Sequence, residues 1–341
     1  MDDPRATGLL KRYRTLQTNR SHWESHWQEL GDYICPRKAD ITKKRTGGDK
    51  RTELLFDGTA VHAAELMSAS LHGMLTNAAT PWFDLRYENN ELNGDDEAKE
   101  WLEGATDVMY QHLARSNFQE QIHELYSDLV TFGTAVIFIE NDDDDGFRFS
   151  TRHIAEVYVS ENEQGRVDTV FRKYKTTARA AVRQFGEQQV TQRIAKLNTD
   201  DPYAEIELLH VVMPREERDR RKKNAKNIGY GRSPAMTALP DTKMVNKMSE
   251  VVIRAAQLQI HPPLMVPDDG FMLPVRTTPG GLNFYRSGTR DRIEPLNIGA
   301  NNPLGEMQLD QRRQAIRSAF YVDQLILGTG PQMTATEVVS R

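Results

Sequence analysis

Between Tyr230 and Leu327 the sequence places two helix-period segments on either side of an insert punctuated by proline and glycine, and few folds accommodate that order. Tyr230-Gly-Arg-Ser-Pro-Ala-Met236 is a turn signal that runs into a helix start. Met244, Val245, Met248, Val251, Val252 and Ala255 then form one stripe, until His261-Pro262-Pro263 stops the pattern. As a helix, the segment Ala235 to Gln259 would be about 37 Å long. A second helix is expected from Pro303 to Leu327, with Leu304, Met307, Ile316, Phe320 and Val322 as its apolar residues. A one-sided stripe must pack on something, either a partner helix or a neighbouring subunit. The insert reads as short strands at Leu264 to Val266, Phe271 to Leu273, Leu282 to Tyr285 and Arg292 to Leu296. No catalytic cluster accompanies the two helices, so they suggest a structural device.

The rest of the chain reads as α+β. Leu9, Leu10, Tyr13, Leu16, Trp23, Trp27 and Leu30 recur at helical steps until Gly31 and Pro36 end them. Arg37 to Arg51 is basic, contains Gly-Gly and reads as an exposed loop, either a solvated linker or a contact for DNA or a partner. Helices follow at Thr59 to Asn77, with Thr59 as N-cap, at Asp95 to Arg115 and at Gln119 to Thr131. The period then changes: Thr134 to Glu140 predicts a strand, Asn141 to Gly146 a turn, and Phe147 to Arg152 the returning strand of a hairpin. Further strands at Glu156 to Ser160, Arg166 to Thr176 and Ile206 to Met213, with a helix near Ala178 to Gly186, complete a mainly antiparallel sheet. No regular βαβ alternation or internal repeat is present. Pro214 to Asn227 is so densely charged that it reads as an exposed or mobile loop.

Composition narrows the function classes. At 341 residues the chain has room for two or three domains, and 38% hydrophobic with 27% charged residues fits a soluble globular protein. It lacks an apolar run of about eighteen residues, so no membrane span is expected. Met1-Asp-Asp-Pro-Arg is no signal peptide, and the single Cys35, read as a semi-buried thiol, fits a reducing cytosol. The formal charge is −5, from 44 Lys+Arg against 49 Asp+Glu. Tight DNA binding draws on many cation–phosphate contacts, so a repressor or DNA-wrapping protein is disfavoured.

Recognisable enzyme signatures are missing. Gly328-Thr-Gly-Pro-Gln-Met333 lacks the lysine of a phosphate-cradling P-loop, which argues against a P-loop ATPase. Asp142 to Asp145 lack the spaced partners of a metal site and read as a solvated turn. His22, Glu24 and His26 do not match the zinc-protease spacing, and no Ser/His/Asp or Cys/His set can be assembled. No catalytic residue, metal or cofactor is expected.

Tyr230 to Met236, Pro262-Pro263, Pro279-Gly-Gly281 and Met333-Thr-Ala-Thr-Glu-Val338 resemble, in order, the head-to-tail connecting (portal) proteins of short-tailed bacteriophages. So do Asn19-Arg-Ser21, Trp23-Glu-Ser-His-Trp27, Phe56-Asp-Gly-Thr-Ala60, Pro81-Trp-Phe83, Ser116-Asn-Phe118 and Phe132-Gly-Thr-Ala135. The resemblance spans nearly the whole chain. It implies a portal fold: an N-terminal α+β wing and body (1–232), a first stem helix (233–259), a clip (260–302), a second stem helix (303–327) and a tunnel-loop region with the start of a following helix (328–341).

The resemblance also implies a ring of twelve subunits at one capsid vertex of the virion, assembled in the host cytoplasm. Double-stranded DNA would pass through it during packaging and ejection without being read for sequence. The terminase large subunit, tail adaptors, and capsid and scaffold proteins would be partners, and no membrane would be involved. Lys243, Lys247, Arg254, Arg312, Arg313 and Arg317 form the basic face of the stem, solvated, paired between subunits or in sparse contact with DNA. Arg276, Arg286, Arg290 and Arg292 would be the clip's partner surface, and Gly328, Thr329, Gly330, Pro331 and Gln332 the tunnel loop. Family members carry additional strands before the Tyr230 motif and continue past the Met333 motif. Part of an outer wing near residue 227 and a C-terminal crown are therefore expected to be missing. The rival readings are a DNA-processing packaging enzyme and a capsid shell or scaffold protein.

Overall fold

The computed structural model describes residues 4–46, 48–88, 95–142, 146–162, 164–214, 230–260, 264–265, 294–295 and 303–325. In chain order its helices are α1 (Pro4–Tyr33), α2 (Thr59–Leu75), α3 (Asp96–Arg115), α4 (Phe118–Phe132), α5 (Ala178–Phe185), α6 (Gln192–Asp200), α7 (Pro234–Ile260), α8 (Pro303–Ala319) and α9 (Val322–Leu325). The strands are β1 (Val136–Asp142), β2 (Gly146–Arg152), β3 (Val157–Glu161), β4 (Val167–Thr177), β5 (Glu205–Val212), β6 (Leu264–Met265) and β7 (Glu294–Pro295). The fold is α+β, as expected.

The sheet, expected as one, is divided. β1 and β2 form a separate hairpin, while β3, β4 and β5 form an antiparallel three-stranded sheet in that order. Each sheet has its own apolar cluster. Phe118, Ile122 and Tyr126 of α4 pack with Phe149 of the hairpin, whereas Tyr13 and Leu16 of α1 pack with Tyr158 and Phe171 of the larger sheet. Two helices with different approach directions thus cover two sheets.

The main core lies where α1, α2, α4, α7 and α8 meet β3. Trp27, Leu30, Phe132, Val157, Ala235, Val245, Ile316 and Phe320 are buried there. Small residues of α2 (Ala60, Ala63 and Ala64) let the neighbouring helices approach closely.

Four local expectations need correction. Thr59 is the first helical residue and not the cap, because Asp57 Oδ1, two residues earlier, accepts from its N–H at 2.9 Å. The segment 37–51 is no free loop. Gln28 Oε1 accepts from the amides of Thr42 and Lys43, and Asp32 and Asp40 hold Arg45 and Arg51. The second long helix does not run unbroken to Leu327. It ends at Ala319, Tyr321 adopts a left-handed backbone (φ 53°), and α9 starts afresh at Val322. Finally, α6 falls between the expected helix and strand. Residues 215–229, and most of Asp142 to Asp145, lie outside the described residues.

Candidate functional site: the α7–α8 pair and its mount

The segment that leads into α7 is fastened to the body at three positions within four residues. Tyr230 is buried between Trp23 and Trp27 of α1, with ring centroids 5.5 and 4.9 Å away. Gly231 crosses Gly133 so closely that a Cβ built on Gly133 would lie 2.4 Å from the Gly231 carbonyl oxygen. Gly133 also has φ 76°, the left-handed conformation that ends α4. Ser233 then donates to the Thr131 carbonyl at 2.8 Å, and its Oγ accepts from Met236 N at 3.2 Å, capping α7. Three sequence motifs, around Trp23, Gly133 and Tyr230, therefore converge on one junction.

A second fastening sits farther along the pair. Asn246 of α7 accepts at Oδ1 from the amides of Phe56 (2.7 Å) and Asp57 (3.0 Å). Asp57 in turn receives Arg313 of α8 at 2.9 Å. Burial pushes the Asp57 carboxyl up, but hydrogen bonds from Thr59 and Arg313 outweigh it and hold the group below its ordinary value. Arg312 pairs with Asp241 of α7 at 2.8 Å, and Lys243 pairs with Glu29 of α1 at 2.8 Å. Pro240 sits inside α7 and removes one backbone rung. β6 and β7 pair antiparallel (Leu264↔Pro295), so the insert begins and ends side by side.

α7 presents two different faces. Ala238, Thr242, Val245 and Ser249 are spaced i, i+4, i+7 and i+11 and are buried against the body and α8. Met244, Met248, Val251 and Ala255 have the same spacing one residue out of phase, about 100° around the helix. Met248 is partly buried, but Met244 and Val251 are exposed, with Val252, Ile253 and Met307. The stripe legible in the sequence is thus split: Val245 and Met248 pack within the chain, while Met244, Val251 and Val252 do not.

The basic residues expected on the stem are mostly engaged. Lys247 and Arg254 both pair with Glu250, at 2.9 and 2.5 Å, in addition to the pairs of Lys243, Arg312 and Arg313. Arg317 is exposed and has no ion pair among the described residues. Arg276, Arg286, Arg290 and Arg292, and Gly328, Thr329, Gly330, Pro331 and Gln332, lie outside the described residues.

Two polar centres beneath the mount were not foreseen. Arg20 is buried against the Tyr158 ring, 3.6 Å from its centroid. It donates to the carbonyls of Ile154 (2.9 Å), Ala155 (3.0 Å) and Val157, and pairs with Glu24 at 2.7 Å. Lys38 bridges Glu124 (2.7 Å) and the buried Asp128 (2.5 Å), beside His153 and the buried thiol Cys35. Burial pushes Asp128 up despite Lys38, and pushes His153 and Cys35 toward their neutral forms. These groups link α1 to the strands and to α4, and the ion pairs and carbonyl contacts that join separate elements mark them as fasteners. The Asn19-Arg-Ser21 signature was the one available sign of the first centre. Among the described residues no group of three or more His, Cys, Asp or Glu is placed to hold a metal, and no helix is long and apolar enough to cross a membrane.

The chain is 28% identical to a probable portal protein of Bordetella phage BPP-1 over 381 aligned positions, covering 98% of the chain and 68% of that protein. It is 26% identical to the portal protein of Salmonella phage epsilon15, covering 92% of the chain and 64% of that relative. The chain therefore spans about two thirds of the length of these relatives. The model of the bacteriophage head to tail connecting protein family matches residues 6–230 and 229–341, nearly the whole chain, and the chain belongs to that family.

Proposed function

We infer that the chain is a portal subunit, a structural component of the virion that forms a ring at one capsid vertex and a channel for double-stranded DNA in packaging and ejection. The observation that carries this reading is the second face of α7. A helix about 40 Å long is clamped to the body along one row, and an apolar row including Val251 is left exposed in the single chain. A head-to-tail contact repeated about an axis covers such a face and closes into a ring.

In this reading residues 1–232 are wing and body, 233–259 and 303–327 the stem, 260–302 the clip and 328–341 the tunnel-loop region. The break at Tyr321 divides the second stem segment. The β6–β7 ladder suits a clip that projects from the end of the stem, where Arg276, Arg286, Arg290 and Arg292 would meet terminase or tail adaptors. Five of the six stem cations are already neutralised by carboxylates of the same chain, which suits a channel that lets duplex slide. Arg317 is left for a neighbour or for DNA.

Electron microscopy of the purified protein tests the reading. Single rings with a central hole are expected, and rotational averaging would count the subunits, twelve being the family's number. Closed shells would favour a capsid or scaffold role, and ATP hydrolysis or DNA cleavage by the chain alone would favour a packaging enzyme.

A further inference from the structure

α3 is a helix with too little of its surface covered. It meets α4 and β2 through Leu113, which packs on the Phe118–Phe149 cluster, and His112, edge-on to Phe147 at 6.0 Å, and only Leu102 and Thr106 of its twenty residues are buried. Trp101, Ala105 and Val108 follow the i, i+4, i+7 spacing on another side, with Met109 beside them. Trp101 is 64% exposed, and Val108 and Met109 are exposed as well. Along the edge of this stripe stand Glu97, Glu100 and Asp107, all exposed and without an ion pair among the described residues. An exposed tryptophan in an apolar row with an acidic border is the composition of a contact surface.

Its complement is on the same chain. α5 and α6 pack together and turn Arg179 and Arg183 (i, i+4) and Arg193 and Lys196 (i, i+3) toward solvent. These four cations also lack an ion pair among the described residues; Arg179 has only a 3.5 Å hydrogen bond to Tyr203 Oη. Tyr203 and Phe185 are exposed beside them, at 71% and 45%. One chain therefore has an acidic aromatic face and a basic aromatic face, and no ion pair joins them within it. A head-to-tail interface uses two different patches on each subunit, so a second copy satisfies both.

We propose that the α3 face of one subunit docks on the α5–α6 face of the next, and that this contact sets the direction and closure of the ring at the level of the body. The proposal rests on the portal reading and adds to it a second inter-subunit contact, apart from α7. Apolar contact through Trp101 and Tyr203 would supply cohesion, while the charges would set register and the encounter rate.

The test uses the full chain and mass photometry across a range of concentrations. Glu100→Lys with Asp107→Lys places cations against cations and should raise the concentration needed for rings by about tenfold or more. Arg179→Glu with Arg183→Glu should do the same, and the fourfold variant should restore assembly. The substituted side chains are exposed, so circular dichroism and thermal melting of the monomer should be unchanged. Restoration by the fourfold variant excludes misfolding as the cause. Rings at the unmutated concentration with either face reversed would overturn the pairing and leave the portal reading standing. An unmutated chain that stays monomeric throughout would overturn both.

Discussion

Arg313 on α8 donates to Asp57 Oδ2 from Nε at 3.0 Å and from Nη2 at 2.9 Å, joining residues 256 positions apart. With Asn246 holding the amides of Phe56 and Asp57, one short segment ahead of α2 anchors both long helices. The connection is rigid because a planar guanidinium and two backbone amides leave the loop little freedom. Motion of the helix pair would accordingly be transmitted to α2.

Arg313→Ala should strip the buried Asp57 carboxylate of its cation and cost about 1–3 kcal/mol in urea unfolding. Arg313→Lys should recover part of this, since an ammonium cannot offer the same fork. Asp57 is held below its ordinary 3.8, so its contribution is complete above that pH and is lost as pH falls through the folded value. In Arg313→Ala this acid-side loss should shrink. An unchanged acid limb would show that Asp57 is not coupled to α8.

Gly133→Ala should be far more damaging than Gly186→Ala, although both glycines have positive φ (76° and 83°). At Gly186 there is open space, so only a backbone penalty of about 1–3 kcal/mol applies, its φ 83° and ψ 146° lying near a region that is essentially glycine-only. At Gly133 the new methyl meets the Gly231 carbonyl, and the junction must open. Equal melting temperatures for the two variants would mean that this crossing is looser than described.

His153 is predicted to set part of the stability profile in mild acid. Its Nδ1 accepts from Ala155 N at 3.1 Å, while Nε2 lies 3.1 Å from the Lys38 carbonyl, so the neutral ring is fully used. Burial depresses its pKa below 6.5, hence the unfolded chain takes up the proton first. Stability should fall as pH drops below 6.5, and His153→Gln should lack this loss. Asp128, facing it and raised by burial, titrates with the opposite slope, and His210 has the same sign as His153. The comparison is therefore the difference between the parent and His153→Gln. Parallel profiles for the two would remove His153 as the cause.

Val251→Asp separates folding from assembly. Val251 is 56% exposed in the single chain, so unfolding should change by no more than about 0.5 kcal/mol. If its row is covered by a neighbour, the buried carboxylate should abolish rings. Rings of normal stability would show that this row faces solvent or the channel.

The periodic elements were legible in the sequence because each carries its own signal. The 3.6-residue spacing of Tyr13, Leu16, Trp23, Trp27 and Leu30 marked α1, and the change to β-branched alternation after Thr134 marked the hairpin. α6 was not legible. Its nine residues are mostly polar, with Ile194 and Leu197 only partly covered. The segmented motifs identified the family but did not disclose their roles, since Asp57, Asn246 and Arg20 act on partners more than a hundred residues away.

Sequence alone determined the positions of most helices and strands, α6 and the break at Tyr321 excepted, together with the acidic balance and the family. Tertiary structure decided which face of α7 is buried. Met244, Met248, Val251 and Ala255 are the more apolar row, yet Ala238, Thr242, Val245 and Ser249 face the body. Small residues pack there because α7 lies close to α8 and the body, and Asn246 next to that row holds the amides of Phe56 and Asp57. Periodicity states that a helix has an apolar side; whether that side meets its own chain or another is settled only by the shape of what surrounds it.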